Sequence, residues 1–238
     1  MTTYLFTGGG TAGHVNPLLA TADRMREREP GATVLVLGTA EGLESRLVPE
    51  RGYELLTIER LPFPRRPGRA ALSFPGRFRR AVAATRAYLS ERGVDVVVGF
   101  GGYAAAPAYR AARALKIPVV IHEANARPGL ANRLGAGYAR HVGTVFSATR
   151  LRHATLVGMP LRREIERLDR PATRDEAIRF FGLDAAKPTL LVTGGSTGAR
   201  SINRTVFDSI EGILATGWQV VPYRGRRHSS SGVLKADR

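Results

Sequence analysis

Short apolar runs alternate with helix-length stretches along most of this chain, and that alternation constrains the fold more than any other feature. Residues 3–7, 33–37, 53–58, 94–100 and 117–121 are brief, rich in Val, Ile, Leu and aromatic residues, and bounded by Gly, Pro or charge. Their near-continuous apolar character predicts strands buried on both faces, as in a parallel sheet. Between them, residues 17–29, 41–51, 71–91 and 105–115 read as helices. Pro17 suits a first helical turn, with Asn16 as its cap. Repeated β-α units joined by short links predict a doubly wound α/β domain.

That domain is expected to occupy residues 1–157. Gly158-Met159-Pro160-Leu161-Arg162 is a proline-containing turn, and a polar stretch with Asp169, Arg170 and Pro171 follows, so residues 158–172 read as an interdomain linker. A second unit, residues 173–238, then opens. Thr173 and Glu176 have capping-box spacing, Phe180 and Phe181 offer an apolar face, and Gly182 can end the helix. Residues 189–193 read as a strand, a Gly-rich turn leads into a helix reaching about Leu214, and residues 218–221 read as the next strand. This is the opening of a second βαβ domain, in fewer residues than the roughly 100–150 of a complete one. Residues 224–238, with Ser229-Ser230-Ser231, are polar and basic and read as frayed.

Composition narrows the chemistry. Cysteine is absent, which excludes a disulfide framework, a thiolate metal site and a cysteine nucleophile. No apolar run approaches the roughly 20 residues that span a bilayer. The start, Met1-Thr2-Thr3-Tyr4-Leu5-Phe6-Thr7, lacks the form of a signal peptide, so the chain reads as cytoplasmic. The formal net charge of +16 draws such a protein to polyanions: nucleic acid, an anionic membrane face or phosphorylated ligands.

Gly8-Gly9-Gly10-Thr11-Ala12-Gly13-His14 follows the first strand and opens the first helix. Such a loop brings backbone close to a ligand, and the helix start offers free N–H groups and partial positive charge. Gly8, Gly10 and Gly13 match dinucleotide spacing, but the second strand runs into Gly38-Thr39-Ala40 and Glu41 falls late for the ribose acid of an NAD site. His14 is not required by that motif. It reads either as a general base near neutral pH or as a helix-start residue that only bonds its neighbours.

Five motifs in order carry a resemblance. Gly9-Gly10-Thr11-Ala12-Gly13-His14-Val15-Asn16-Pro17 resembles the opening motif of the MurG glycosyltransferases, with Ala12 where glycine is usual. Gly99-Phe100-Gly101-Gly102-Tyr103-Ala104-Ala105-Ala106-Pro107 is similar to the family's second glycine motif. His122-Glu123-Ala124-Asn125 resembles His-Glu-Gln-Asn, and Gly158-Met159-Pro160-Leu161-Arg162 resembles Gly-Asn-Pro-Val-Arg. Gly194-Gly195-Ser196-Thr197-Gly198-Ala199-Arg200 and Asn203 match the motif that opens the second domain. The likeness runs to about Val221. It implies a GT-B architecture, two Rossmann-like doubly wound parallel-sheet domains facing each other across a cleft, with the second incomplete here.

The resemblance also implies a reaction. The family's enzymes transfer N-acetylglucosamine from UDP-N-acetylglucosamine to the 4-hydroxyl of the muramic sugar of lipid I, with inversion, giving lipid II in peptidoglycan synthesis. His14 is then the candidate base, and Thr11, Ala12, Gly13, Asn125, Arg162 and Ser196 fall at the family's donor contacts. Tyr103, His122 and Glu123 lie at strand ends, where α/β ligands bind, or are structural. No cofactor is implied. No Asp-x-Asp pair is present, so helix dipole and arginine are expected to replace a metal clamp at the diphosphate. Ala124 and Met159 remove polar side chains found in the family, which alters contacts around the donor.

From Arg60 to Ser90 there are eight arginines and no acid, interleaved with Leu61, Phe63, Leu72, Phe74 and Phe78. This pattern suits an anionic membrane face. The resemblance agrees, since the family docks peripherally on the cytoplasmic side of the membrane to reach a polyprenyl-linked acceptor. The other reading is a helix whose apolar residues face the core while its arginines are solvated. No nucleic-acid-binding motif accompanies the charge. After Val221 the sequence leaves the family pattern, so a frameshift, an early stop or an incomplete gene model near that point is expected, with a weakly stable second domain and weak or no transferase activity. Two further classes stay open: a non-catalytic membrane- or lipid-binding fragment, and another sugar-nucleotide enzyme such as an epimerase.

Overall fold

The computed structural model describes residues 1–64, 66–194 and 199–222. The chain forms two compact units that part between Glu166 and Arg167.

The first unit begins with β1 (Thr3–Thr7), α1 (Ala12–Arg28), β2 (Thr33–Gly38), α2 (Glu44–Glu50), β3 (Glu54–Thr57) and α3 (Arg69–Glu91). It continues through β4 (Val96–Gly99), α4 (Ala105–Ala114), β5 (Val119–Glu123), α5 (Leu130–Ala136), β6 (His141–Thr144), β7 (Ala154–Leu156) and α6 (Arg163–Glu166). The seven strands form one sheet in the order β3-β2-β1-β4-β5-β6-β7. Every recorded pairing is parallel. The doubly wound sheet expected from the sequence is therefore present.

Alternation along the strands divides the core into two layers. Leu5, Leu35, Leu37 and Val97 share a core layer with α3, α4 and α5 through Ala81, Leu89, Ala108, Tyr109, Ala112 and Ala136. Phe6, Val36, Val98 and Phe100 meet α1 and α2 through Val15, Leu18, Leu19 and Val48. Strand order reverses between β1 and β4. The loops that leave their carboxyl ends diverge to opposite faces and open a crevice there, the standard ligand position of such sheets.

The expected start of α1 is wrong by five residues. The helix begins at Ala12, so Pro17 lies inside it and Asn16 is not its cap. Thr11 caps in extended geometry without a side-chain bond, and its carbonyl accepts from the N–H groups of His14 and Val15. Pro17 lacks the N–H that would reach the Gly13 carbonyl, and a glycine at that place leaves room beside the ring.

The second unit contains α7 (Arg170–Phe181), β8 (Thr189–Val192), α8 (Arg200–Asp208), α9 (Ile210–Ala215) and β9 (Gln219–Pro222). β8 and β9 pair in parallel. The Thr173/Glu176 capping box does not form. Asp169 is the N-cap and accepts from the Ala172 N–H at 3.1 Å, because Pro171 near the start favours the earlier turn. Gly182 ends this helix in the left-handed region, as expected. Phe180 and Phe181 do not form a buried apolar face: their rings meet edge to face at 4.9 Å, and they are 82% and 41% exposed. The helix expected to reach Leu214 breaks at Ser209 into α8 and α9.

Candidate functional site

Two glycine loops pack against each other at the β1/β4 crevice. Gly102 has φ +87°, and a Cβ there would lie 2.5 Å from the Gly9 oxygen and 2.8 Å from its nitrogen. The loops therefore touch backbone to backbone, which only glycine allows. Gly101 has φ +91°, and a Cβ on it would sit 3.2 Å from His14 Cδ2 and Nε2. The imidazole thus lies over the second loop.

His14 is half-buried. Its Nδ1 is 3.1 Å from the Gly9 carbonyl oxygen and 3.3 Å from Thr11 Oγ1. A carbonyl only accepts, so the proton belongs on Nδ1, leaving Nε2 as a lone pair over Gly101. The local bonding expected of a helix-start residue is present, and it holds the ring in place. Around it, the Ala12 and Gly13 N–H groups have no backbone acceptor among the described residues, as at any helix start. Thr11 and Gly13 are exposed and Ala12 partly so.

A buried network supports the second loop and the end of β5. Glu123 is 1% exposed. Its Oε1 accepts from the Asn125 N–H and Nδ2, both at 2.8 Å, and its Oε2 accepts from the Gly129 N–H at 2.8 Å and Asn132 Nδ2 at 3.0 Å. Asn132 also accepts from the Tyr109 hydroxyl at 2.7 Å. Burial holds the Tyr109 hydroxyl well above the ordinary tyrosine range, with Tyr138 and Glu123 adding to it and a Gly101 backbone bond opposing. Asn125 is exposed with its amide nitrogen committed to Glu123, so its Oδ1 is the group it offers to a ligand. Glu123 and His122 are therefore fixtures of this loop: His122 Nε2 lies 3.0 Å from the Gly158 oxygen and its ring 5.5 Å from Phe100.

Arg162 is exposed and starts the turn into α6, its carbonyl accepting from Ile165 and Glu166. Its side chain makes no ion pair among the described residues, and it is not drawn into the His14 cluster. Ser196 lies outside the described residues. Tyr103 packs beside Gly10 and carries the Arg60 guanidinium over its ring at 5.1 Å. Sequence reading missed Glu44, which is fully buried beneath the first loop, and the Asn132–Tyr109 pair. Among the described residues no group of His, Asp and Glu is placed to hold a metal ion.

Residues 4–144 match the family model described as "Glycosyltransferase family 28 N-terminal domain". The chain belongs to glycosyltransferase family 28. It is 69% identical over 222 residues to a protein of Clavibacter sepedonicus named UDP-N-acetylglucosamine--N-acetylmuramyl-(pentapeptide) pyrophosphoryl-undecaprenol N-acetylglucosamine transferase, an alignment covering 93% of this chain and 60% of that one. Among solved structures it resembles MurG of Acinetobacter baumannii, with 29% identity, a TM-score of 0.68, and coverage of 89% of this chain and 58% of the other. A UDP-GlcNAc 2-epimerase from Neisseria meningitidis, 12% identical with a TM-score of 0.63 over 93% of this chain and 65% of that one, shares the fold alone. The likeness to the MurG transferases is thus borne out within family 28, and the chain spans about 60% of the length of the curated relatives it matches.

Proposed function

We propose that this family 28 chain serves the reaction named for its relatives: transfer of N-acetylglucosamine from UDP-N-acetylglucosamine to the 4-hydroxyl of the muramic sugar of lipid I, with inversion. The observation that carries the reading is the state of His14, with Nδ1 satisfied by Gly9 and no hydrogen-bond partner for Nε2 among the described residues. Nε2 takes the hydroxyl proton as the sugar oxygen bonds to the anomeric carbon. The bond from that carbon to the UDP oxygen breaks, and UDP leaves with the electron pair. Positioned proton transfer of this kind contributes typically about 10²–10⁴-fold. The N–H groups of Ala12 and Gly13, the side-chain oxygen of Asn125 and the exposed Arg162 guanidinium are the groups proposed to receive the donor.

The acceptor is proposed to be met at an anionic membrane face through the start of α3 and the segment before it. Phe63 is 56% and Leu72 84% exposed beside the exposed Arg66 and Arg69. Phe63 meets Phe74 edge to face and Phe74 stacks on Phe78, with centroids 5.3 and 5.8 Å apart. Leu61 is buried, and Phe74 also packs on the core, so the docking element is narrower than the composition of the segment implies. Exposed rings flanked by arginine match what an anionic interface binds.

The test is release of UDP with and without lipid I in anionic vesicles. Release that requires the acceptor is expected. Release or sugar epimerisation without acceptor would replace this reading with the epimerase one.

A further inference from the structure

Glu44 is a fully buried carboxylate that the reaction above does not use. Its Oε1 accepts from the Thr39 N–H at 2.9 Å and the Thr39 hydroxyl at 2.8 Å, and its Oε2 accepts from the Gly10 N–H at 2.8 Å. No cation pairs with it among the described residues. A Cβ at Gly9, Gly38 or Gly42 would collide with this side chain, so three glycines, one in the first loop, one ending β2 and one beyond it, make the space it fills. A buried charge is costly unless its hydrogen bonds are made, and such a site persists where the charge has a use.

The Gly10 N–H and the Gly9 C=O belong to one peptide group. Glu44 accepts from its nitrogen end. His14 Nδ1 donates to its oxygen end. The geometry points to a carboxylate–peptide–imidazole chain in which Glu44 is a positioning residue for His14. The carboxylate polarises the amide, which makes the Gly9 oxygen a stronger acceptor for Nδ1–H. That bond holds the tautomer with a bare Nε2, and it strengthens when Nε2 takes a proton and the ring becomes cationic. The same bond commits the Gly10 N–H, so a ligand phosphate at this loop meets a fixed negative charge beneath Gly10 and must be held from the Ala12 and Gly13 side.

The inference rests on His14 being the base of the reaction, but its test reads the imidazole itself. In the intact chain, ¹⁵N shifts of the neutral His14 ring are expected to report the Nδ1–H tautomer, with the Gly10 amide proton downfield of the other glycines. In Glu44→Gln the amide oxygen serves Thr39 and its NH₂ turns on the Gly10 N–H. The Nδ1–H to Nε2–H ratio is expected to fall roughly threefold to tenfold as the charge-assisted bond is lost. An unchanged ratio in folded Glu44→Gln overturns the proposal. If that variant does not fold, an Nε2–H tautomer in the unmodified chain overturns it alone. A shifted ratio with transfer rates unchanged would uphold the Glu44 chain and remove His14 as the base.

Discussion

Replacing Gly102 with alanine perturbs the contact between the two glycine loops more directly than any change to a polar side chain. Two costs add. At φ +87° an alanine is held in the left-handed region, at about 1–2 kcal/mol. Its Cβ would lie 2.5 Å from the Gly9 oxygen, a backbone atom with no rotamer to escape into. Overpacking of this kind typically costs about 1–3 kcal/mol more. Gly52→Ala is the matched control: φ is +73° and nothing lies within 4 Å, so only the conformational cost applies. With a urea dependence of about 2 kcal/mol per molar, the Gly102→Ala midpoint should fall below that of Gly52→Ala by roughly 0.5–1.5 M, followed by far-ultraviolet circular dichroism. Equal midpoints would refute the inference that the loops are packed backbone on backbone.

Four other outcomes follow from the same structure. Asn132→Ala strands the Tyr109 hydroxyl and leaves Glu123 Oε2 with the Gly129 N–H alone, so it should lower stability by about 2–4 kcal/mol, while Tyr109→Phe costs about 1–2 kcal/mol; chemical denaturation separates them. Because folding raises the Tyr109 hydroxyl above the ordinary tyrosine value of 10.0, its contribution is complete below pH 10 and lost as pH climbs above it, where the unfolded chain ionises first; Tyr109→Phe should lessen that alkaline loss. Phe63→Ser with Leu72→Ser should weaken sedimentation with anionic vesicles severalfold and lower thermal stability only slightly, since Leu72 is 84% exposed and Phe63 gives up only its edge contact with Phe74. Arg163→Ala should cost no more than about 1 kcal/mol in a melt despite its 2.9 Å pair with Glu27, because both side chains are partly solvated.

Much of the fold was legible because burial on both faces leaves an unmistakable run of apolar residues. Each of the five strands read in the first domain falls on an observed strand within two residues. Helix starts were less legible. Pro17 and Asn16 are good cap chemistry, but the chain had already begun to coil at Ala12 because the glycine loop turns it there. Asp169 displaced Thr173 as a cap for the same kind of reason: local rules name several candidates, and the path of the preceding chain chooses one.

The site was legible where residues act through the backbone of a motif, and not where they act across space. Thr11, Ala12, Gly13 and His14 are contiguous, so their clustering could be read directly. Glu44 lies 34 residues from the Gly10 N–H it holds, and no local period marks it. The one signal available was the set of glycines at 9, 38 and 42, which makes sense only once a bulky partner is known to fill the space. Asn132 and Tyr109 likewise look like ordinary helix residues until the sheet brings α4 and α5 under β5.

The measurement that bears most directly on the account is acceptor-dependent release of UDP by this chain and by its His14→Gln variant, in vesicles carrying lipid I. The account predicts release that requires lipid I and that falls about 100-fold or more in the variant, with vesicle binding and thermal stability unchanged. Equal rates in the two proteins, or release that ignores the acceptor, would contradict it.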